Sequence, residues 1–372
     1  MLTKFTVSNF KSFATEFVFD LQNTNSYAFN KKSLKNGVVN NGLIYGHNGV
    51  GKSNLGLAIF DIIGHLTDKN LSENEYKPHT YLNAESGSKT ASFKYEFLFG
   101  DDKVCYNYEK TDVRTVVSET LIINGKELAK IDRRNSDNAY IDISGAETLK
   151  RELSNKNLSL LKYIRNNTVL EENEDNKALF TFYHFVDRML FFRSLYSNMF
   201  VGLETKSSKI EEDIIAKDNV QDLERFLNKA GIECKLEVVK ELDQERIAFD
   251  FGNKFISMYD IASTGSKSLI LFYFWFQRIR ENEIVSFLFI DEFDAFYHHD
   301  LSALIVDELI NTGVQFILTS HNTSIITNDL LRPDCYFLMN KRIIRSLANS
   351  TSKELREAHN IEKMYKAGSF DV

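Results

Sequence analysis

A glycine-rich segment at residues 46–53 reads GHNGVGKS and is followed by Asn54. Glycines in this spacing let successive backbone N–H groups turn inward and surround phosphate oxygens, and a following helix N-terminus adds favourable partial charge. Lys52 would reach the β- and γ-phosphates, and the Ser53 hydroxyl would bind Mg²⁺. The pattern predicts a loop that binds ATP with Mg²⁺. The alternative is a glycine-rich turn that opens a helix only for packing.

The flanking residues predict the elements that such a loop requires. Residues 42–45 form a short apolar run, which predicts a buried strand, and residues 54–66 carry apolar side chains at helical spacing. Strand, glycine loop and helix in this order are the context of a phosphate site. We therefore expect the nucleotide to be bound by Asn48, Gly49, Gly51, Lys52, Ser53 and Asn54.

A second candidate element is the run FLFIDE at residues 287–292. Its apolar residues predict a buried strand, and its two acids would lie at the carboxyl edge of a parallel sheet, where ligands bind. Asp291 would hold Mg²⁺ through water, and Glu292 would polarise the water that attacks the γ-phosphate. An apolar strand that ends in two acids is common by itself, so this interpretation depends on the upstream phosphate loop.

Two further segments could act on the γ-phosphate. Residues 315–321, QFILTSH, predict another buried strand, and His321 at its end could bond the γ-phosphate and sense hydrolysis. Residues 262–267, ASTGSK, open an apolar helix whose free N–H groups could hold an anion. In isolation, a histidine at a strand end is usually surface chemistry, and small residues before a helix often form only an N-cap.

The composition is typical of a soluble globular protein. The 372 residues are 43% hydrophobic and 26% charged, and the net charge is −7. This charge argues against a nucleic-acid footprint over the whole surface, but it leaves a local basic groove for DNA open. Three distant cysteines, an N-terminus without an apolar signal segment and the lack of a bilayer-length apolar run predict a cytoplasmic protein without a membrane partner.

Changes in sequence character predict four regions. They are an N-terminal lobe with the phosphate loop and antiparallel strands (1–145), a helical insertion (146–232), a C-terminal lobe (233–345) and a tail (346–372). Alternating apolar residues predict strands at 2–7, 16–21, 91–99, 104–109 and 116–123. Helical spacing predicts helices at 153–164, 178–195 and 210–227.

Taken together, these motifs resemble the ABC-type ATPase superfamily, in its RecF/SMC-like and OLD-type branch. Residues 9–13, NFKSF, match the opening strand and turn of that branch, and Asn48 and Asn54 match its version of the phosphate loop. Residues 263–266 stand at the place of its signature loop, and residues 291–298 look like its segment after the catalytic glutamate. The resemblance implies an α/β P-loop NTPase, an ABC-type ATPase head with an antiparallel β subdomain and a helical insertion.

The resemblance also implies that two heads pair around two ATP molecules, in a dimer or a higher even oligomer. Ser263 and Gly265 would then contact the γ-phosphate held by Lys52 of another subunit, and Lys11 would touch a phosphate in its own chain. Three features depart from the family pattern. The signature is not Leu-Ser-Gly-Gly-Gln, His298 replaces an aspartate, and the glutamine loop that usually contacts Mg²⁺ has no evident counterpart.

The tail at residues 355–370 is similar to the ending of stand-alone ATPases in bacterial anti-phage and abortive-infection systems of the PARIS and AbiL types. That similarity implies a separately encoded effector protein, a nuclease or another toxin, and about 30 residues after the last core strand leave no room for a fused nuclease. The main alternative is a RecF-like ATPase of DNA repair or maintenance. A transporter subunit is the weakest reading, since the opening turn and the signature do not fit it.

Overall fold

Two large β-sheets, joined by the helix that follows the glycine loop, carry the fold. The computed structural model describes residues 1–69, 76–171, 173–193, 200–202, 210–241, 244–280, 285–295 and 299–371. The strands in chain order are β1 (Leu2–Ser8), β2 (Phe17–Asp20), β3 (Leu34–Lys35), β4 (Val38–Val39), β5 (Asn41–Tyr45), β6 (Ala91–Phe99), β7 (Asp102–Lys110), β8 (Val116–Ile123), β9 (Lys126–Asp132), β10 (Ser136–Ile141), β11 (Met189–Arg193), β12 (Phe200–Gly202), β13 (Leu236–Glu241), β14 (Gln244–Asp250), β15 (Phe255–Ser257), β16 (Phe287–Asp291), β17 (Gln315–Thr319), β18 (Tyr336–Met339) and β19 (Ile344–Ser346). The α-helices are α1 (Lys52–Leu66), α2 (Leu160–Asn167), α3 (Glu174–Asp187), α4 (Ile210–Ala216), α5 (Val220–Lys229), α6 (Met258–Ile261), α7 (Thr264–Arg280), α8 (His299–Thr312) and α9 (Ile361–Lys366).

The central sheet has the strand order β12-β11-β16-β17-β5-β18-β19. Strands β11, β16, β17, β5 and β18 run parallel, and the two outer strands are antiparallel. The residues of β5, β16 and β17 are all buried, because helices cover both faces of such a sheet and apolar runs are stable there. The parallel direction places the ends of β5, β16 and β17 at one edge.

The second sheet is antiparallel and has the order β10-β9-β8-β7-β6-β1-β2. Its strands alternate buried and more exposed residues, so one face packs on the core. The strands predicted at 91–99, 104–109 and 116–123 are confirmed within three residues, and the predicted strands at 2–7 and 16–21 pair as β1 and β2. Strands β13, β14 and β15 form a separate small sheet.

Helix α1 lies against the central sheet because Gly56 leaves room for two aromatic rings. A Cβ atom at this position would lie 2.8 Å from Phe289 and 2.9 Å from Phe191. Its other face meets the antiparallel sheet, where Tyr95 donates a hydrogen bond to the carbonyl of Ala58 over 3.1 Å. The helix that follows the glycine loop is therefore fixed from two sides.

Residues 178–195 do not form one helix as predicted. Helix α3 ends at Asp187, and Met189–Arg193 is a strand that pairs in parallel with β16. The apolar run suits a helix and a strand equally well. It forms a strand because it is buried between neighbouring strands of the sheet. The predicted helix at 210–227 is likewise two helices, divided near Asp218, whose φ is 55°. The predicted helix at 153–164 begins only at Leu160.

The division into four regions stays a prediction. The range 146–232, expected to be a helical insertion, holds α2 to α5 but also β11 and β12, which belong to the central sheet. Within the described residues, none of the helices has the length and apolar character needed to cross a membrane.

Candidate nucleotide-binding site

The glycine loop leads from β5 into α1 by a tight path. Gly49 and Gly51 have φ values of 77° and 105°, a region that side chains with a Cβ atom rarely adopt. A Cβ atom on Gly46 would lie 2.4 Å from the carbonyl oxygen of Met339, and one on Gly51 would lie 2.5 Å from Ser12 Oγ. The backbone therefore requires glycine at these positions, as a loop that closes around phosphate would.

Lys52 folds back over this loop. Its Nζ donates to the carbonyl of Gly46 over 2.7 Å and to that of His47 over 3.3 Å, and the residue is 6% exposed. Burial lowers the pKa of Lys52, while the carboxylates of Asp291 and Glu292 act in the opposite direction. The ammonium group is thus held at the mouth of the loop, in a place where phosphate oxygens could replace the carbonyls.

The opening segment NFKSF touches the same loop. Asn54 Nδ2 donates to Ser12 Oγ over 3.0 Å, so the turn after β1 is tied to the start of α1. Lys11 has a φ of 45°, and its carbonyl accepts a 2.6 Å hydrogen bond from Asn83. Its Nζ lies 5.7 Å from the centre of the Phe10 ring. The contact of Lys11 with a phosphate stays a prediction. The contact between Ser12 and Asn54 was not predicted from the sequence.

Asp291 and Glu292 lie at the end of β16 and share one hydroxyl group. Thr319 Oγ1 donates to Asp291 Oδ1 over 2.8 Å and accepts from the Glu292 N–H over 2.7 Å. Glu292 has a φ of 50°, an uncommon conformation for glutamate. The Thr319 hydroxyl therefore links the Asp291 carboxylate to the backbone of Glu292.

His321 lies beside Glu292 across the same edge. Its Nε2 is 3.8 Å from Glu292 Oε1. Burial, followed by the charge of Lys52, lowers the pKa of His321, and burial, followed by the charge of Asp291, raises the pKa of Glu292. A carboxylate with a raised pKa is a stronger base, which suits a group that takes a proton from water.

A cavity of about 570 Å³ opens between the glycine loop and the segment that contains His321. One wall is formed by the loop and the other by the end of β17. The residues that line it are Tyr45, Gly46, His47, Asn48, Ser320, His321, Thr323 and Tyr365. The structure therefore brings Asn48 and His321 to one opening, whereas the other predicted loop residues are not among those that line it.

Arg193 is a member of the site that the sequence did not indicate. It ends β11 and stands opposite Asp291 in the register with β16. Its Nε lies 3.0 Å from Asp291 Oδ2, and its Nη2 donates to Ser53 Oγ over 3.4 Å. The only sequence signal is an apolar run that ends in arginine, and the helical interpretation of 178–195 concealed it.

Ser53 and Asp291 are suitable ligands for Mg²⁺. A hydroxyl and a carboxylate are oxygen donors of the kind that Mg²⁺ takes together with phosphates. Arg193 contacts both side chains, so the two oxygen donors face the same cationic group. The donor set therefore fits the metal, although its binding through Ser53 and Asp291 stays a prediction.

Ser263 and Gly265 lie at the start of α7, on a different element. Ser263 is exposed, and its hydroxyl accepts from the N–H of Ser266 over 3.1 Å. This is the N-cap arrangement that the sequence left as an alternative. The assignment of both residues to the γ-phosphate of another subunit stays a prediction, and His298 lies outside the described residues.

The sequence matches one family model over most of its length. Residues 43–327 match the family AAA_21, described as "AAA domain, putative AbiEii toxin, Type IV TA system". Among curated proteins, none matches the sequence. With this match and the strand order above, the predicted fold class is confirmed: an α/β P-loop NTPase with an ABC-type head.

Solved structures with similar chains include heads of SMC proteins. The SMC head domain from Thermotoga maritima has 15% identity and a TM-score of 0.44, and the match covers 93% of this chain and 98% of that one. An SMC head bound to the C-winged helix domain of ScpA has 15% identity and a TM-score of 0.48, with 93% and 97% covered. An SMC head with an extended coiled coil, bound to the C-terminal domain of ScpA derived from Pyrococcus furiosus, has 15% identity and a TM-score of 0.42, with 94% and 97% covered.

Proposed function

The chain belongs to the AAA_21 family, and from that premise we propose that it binds and hydrolyses Mg-ATP to control a separate effector protein in anti-phage defence. One observation carries the ATPase part of this proposal. Lys52, Glu292 and His321 come from three different elements, and their charges act on one another at one sheet edge, beside the two predicted Mg²⁺ ligands. Such convergence is what phosphoryl transfer requires, because its catalysis depends on position and charge.

The phosphates would be held first by the loop. The N–H groups of residues 48–53 and the start of α1 supply donors and partial positive charge, and Lys52 would exchange its carbonyl contacts for phosphate oxygens. Mg²⁺, when bound by Ser53 and Asp291, would neutralise phosphate charge. The cluster thus binds the triphosphate before any reaction.

The attack on the γ-phosphate would depend on Glu292. Its raised pKa makes it an acceptor for the proton of the attacking water, and the Thr319 hydroxyl ties its backbone N–H to the Asp291 carboxylate. His321 Nε2 lies 3.8 Å from Glu292 Oε1. This side chain would bond the γ-phosphate and lose that bond after hydrolysis. The state of His321 would then report whether ATP or ADP is present.

Pairing of two heads around ATP would complete the site. Ser263 is exposed at the start of a buried apolar helix, as a residue that contacts another subunit must be. The chain just before it exposes large apolar side chains, which is unusual unless they are covered by a partner. They are Phe251, Phe255, Tyr259 and Ile261. We propose a second copy as the partner, in a dimer or a higher even oligomer.

The effector part of the proposal depends on the family description. That description names a putative AbiEii toxin and a type IV toxin–antitoxin system. The tail similarity described above points to the same class, of the PARIS or AbiL type. We therefore propose a cytoplasmic sensor or scaffold whose ATP cycle releases or activates a separately encoded nuclease or other toxin.

A DNA maintenance ATPase of the RecF/SMC-like type is the second candidate. A cavity of about 960 Å³ beside α1 is lined in part by Lys69, Arg114 and Lys162. Clustered cations are what a phosphate backbone requires, and this surface is the candidate for the local basic groove that the acidic net charge left open. Asp112 also lines it, and Lys162 pairs with Asp68 over 2.8 Å. The effector hypothesis and the DNA hypothesis therefore predict different molecules that copurify with the protein from its host.

The test is purification of the Glu292→Gln variant from the native host with ATP and Mg²⁺. This variant should keep ATP and hold the heads in their paired state. A stoichiometric small protein without nucleic acid would support the effector hypothesis and identify the effector. DNA that is removed by nuclease, with no protein partner, would contradict that hypothesis and support the DNA maintenance function. The Lys52→Ala variant is the control, since it should not bind ATP and should copurify with neither the effector protein nor DNA.

A further inference from the structure

Arg193 contacts both side chains that are expected to bind Mg²⁺. Its guanidinium uses Nε for Asp291 Oδ2, at 3.0 Å, and Nη2 for Ser53 Oγ, at 3.4 Å. The side chain of Arg193 is 14% exposed and that of Asp291 is 1% exposed, so water screens this pair weakly. The pair is a built part of the site and not a surface ion pair.

The position of Arg193 follows from the strand pairing. Strands β11 and β16 are parallel neighbours, and Arg193 is the register partner of Asp291. The cation therefore approaches Asp291 sideways along the sheet edge, while Thr319 holds the other carboxylate oxygen from β17. Asp291 has a fixed hydroxyl on one oxygen and a long, flexible cationic side chain on the other.

A guanidinium and Mg²⁺ are competitors for the same two side chains. Both are cations, and a carboxylate oxygen that pairs with one at short range disfavours the approach of the other. Arginine, unlike a fixed backbone donor, can move away by rotation of its side chain without a change in the sheet. Exchange of the cation at Asp291 is therefore possible with little movement of the backbone.

We propose that Arg193 is a positioning residue that competes with Mg²⁺ for Asp291 and Ser53 and so sets the Mg²⁺ concentration at which nucleotide binds. Without the metal, the guanidinium neutralises Asp291 and keeps Ser53 beside it. When Mg²⁺ binds with nucleotide, the guanidinium leaves Asp291. The inference rests on the proposed function, since it presupposes a Mg-nucleotide site at this edge.

The test measures the Mg²⁺ dependence of nucleotide binding, not activity. Full-length protein at saturating ADP is titrated with MgCl₂, and the midpoint of the rise in melting temperature is recorded. Arg193→Gln should lower this Mg²⁺ midpoint about fivefold, because a competing cation is removed. Arg193→Lys should lower it less, since a charge remains. Arg165→Gln is the matched control: it breaks the half-buried pair with Asp187, far from the loop, and should leave the midpoint unchanged.

An equal or higher midpoint in Arg193→Gln, or no Mg²⁺ effect on ADP binding in the wild type, would overturn the inference. If Arg193→Gln does not fold, Arg193→Lys decides by the same criterion. Failure of the proposed function looks different. In that case the wild-type protein shows no stabilisation by ADP or ATP at any Mg²⁺ concentration.

Discussion

Two buried aspartates, one on α1 and one at the end of β16, each pair with a cation, yet they have different roles. Asp61 is fully buried against the antiparallel sheet and accepts 2.9 Å hydrogen bonds from Tyr81, Tyr108 and Lys110. Asp291, at the edge of the central sheet, has Thr319 on one oxygen and Arg193 on the other. Each pair sits in a setting that makes an unpaired charge costly.

The difference lies in whether the partners can be exchanged. The three donors of Asp61 come from two rigid aromatic rings and from a lysine that is 1% exposed. Asp291 lies next to a glycine loop, a strained glutamate and a flexible arginine. A saturated carboxylate stabilises the fold, whereas a carboxylate with one exchangeable partner can take part in chemistry.

The largest expected effect is on stability, and it comes from breaking the ion pair between Asp61 and Lys110. Lys110→Met leaves Asp61 buried without its cation, which should lower the free energy of unfolding by about 3–5 kcal/mol. Urea unfolding measures this change, and Lys130→Met, which removes an exposed ion pair with Glu127, should change stability by less than about 1 kcal/mol. A loss as small in Lys110→Met as in the control would mean that the Asp61 cluster does not hold the helix.

A third buried carboxylate sharpens the comparison through pH. Asp294 is held by the hydroxyl of Ser320 at 2.7 Å, and burial raises its pKa from 3.8 to about 6. The folded state then binds more protons than the unfolded state, so stability should fall as pH rises from about 4 to about 6, by about 2 kcal/mol. Asp294→Asn should flatten this part of the profile in urea unfolding at a series of pH values. If the free energy of unfolding in Asp294→Asn changes with pH as it does in the wild type, other groups cause the pH dependence.

The smallest expected effect concerns the hydroxyl that links Asp291 to Glu292. Thr319→Val removes both hydrogen bonds of this bridge and should lower the ATP turnover rate about tenfold. Thr319→Ser keeps the hydroxyl and should stay near the wild-type rate. The two variants differ in the hydroxyl as well as in a methyl group, so stability is measured alongside turnover. Equal turnover in Val and Ser variants would show that the bridge does not position the acids.

The sequence predicted the site where its signals are local. The loop at 46–53, the acids after β16 and the histidine after β17 are short patterns, and their strands are apolar runs that fit a buried parallel sheet. Arg193 could not be found this way, because its partner Asp291 is distant in sequence and its apolar run suits a helix equally well. Pairing with β16 decides the conformation, and pairing is a tertiary property.

The division into lobes and the role of Ser263 show the same limit. A helical pattern at 146–232 did not reveal that part of this range adds strands to the central sheet. The turn at Ser263 has the N-cap bonds that a helix start often has, and its proposed contact with ATP requires a second subunit. Patterns in one chain carry no information about surfaces that another copy completes.

The central claim is that this sheet edge binds ATP and that Glu292 acts on it. The most direct test measures ATP affinity and turnover together, for wild-type protein and for Glu292→Gln, in the presence of Mg²⁺. We expect the two proteins to bind ATP with affinities within about twofold, and we expect turnover in Glu292→Gln to fall about hundredfold or more, as for the loss of a general base. Equal turnover in the two proteins, or no ATP binding by the wild type, would contradict the account.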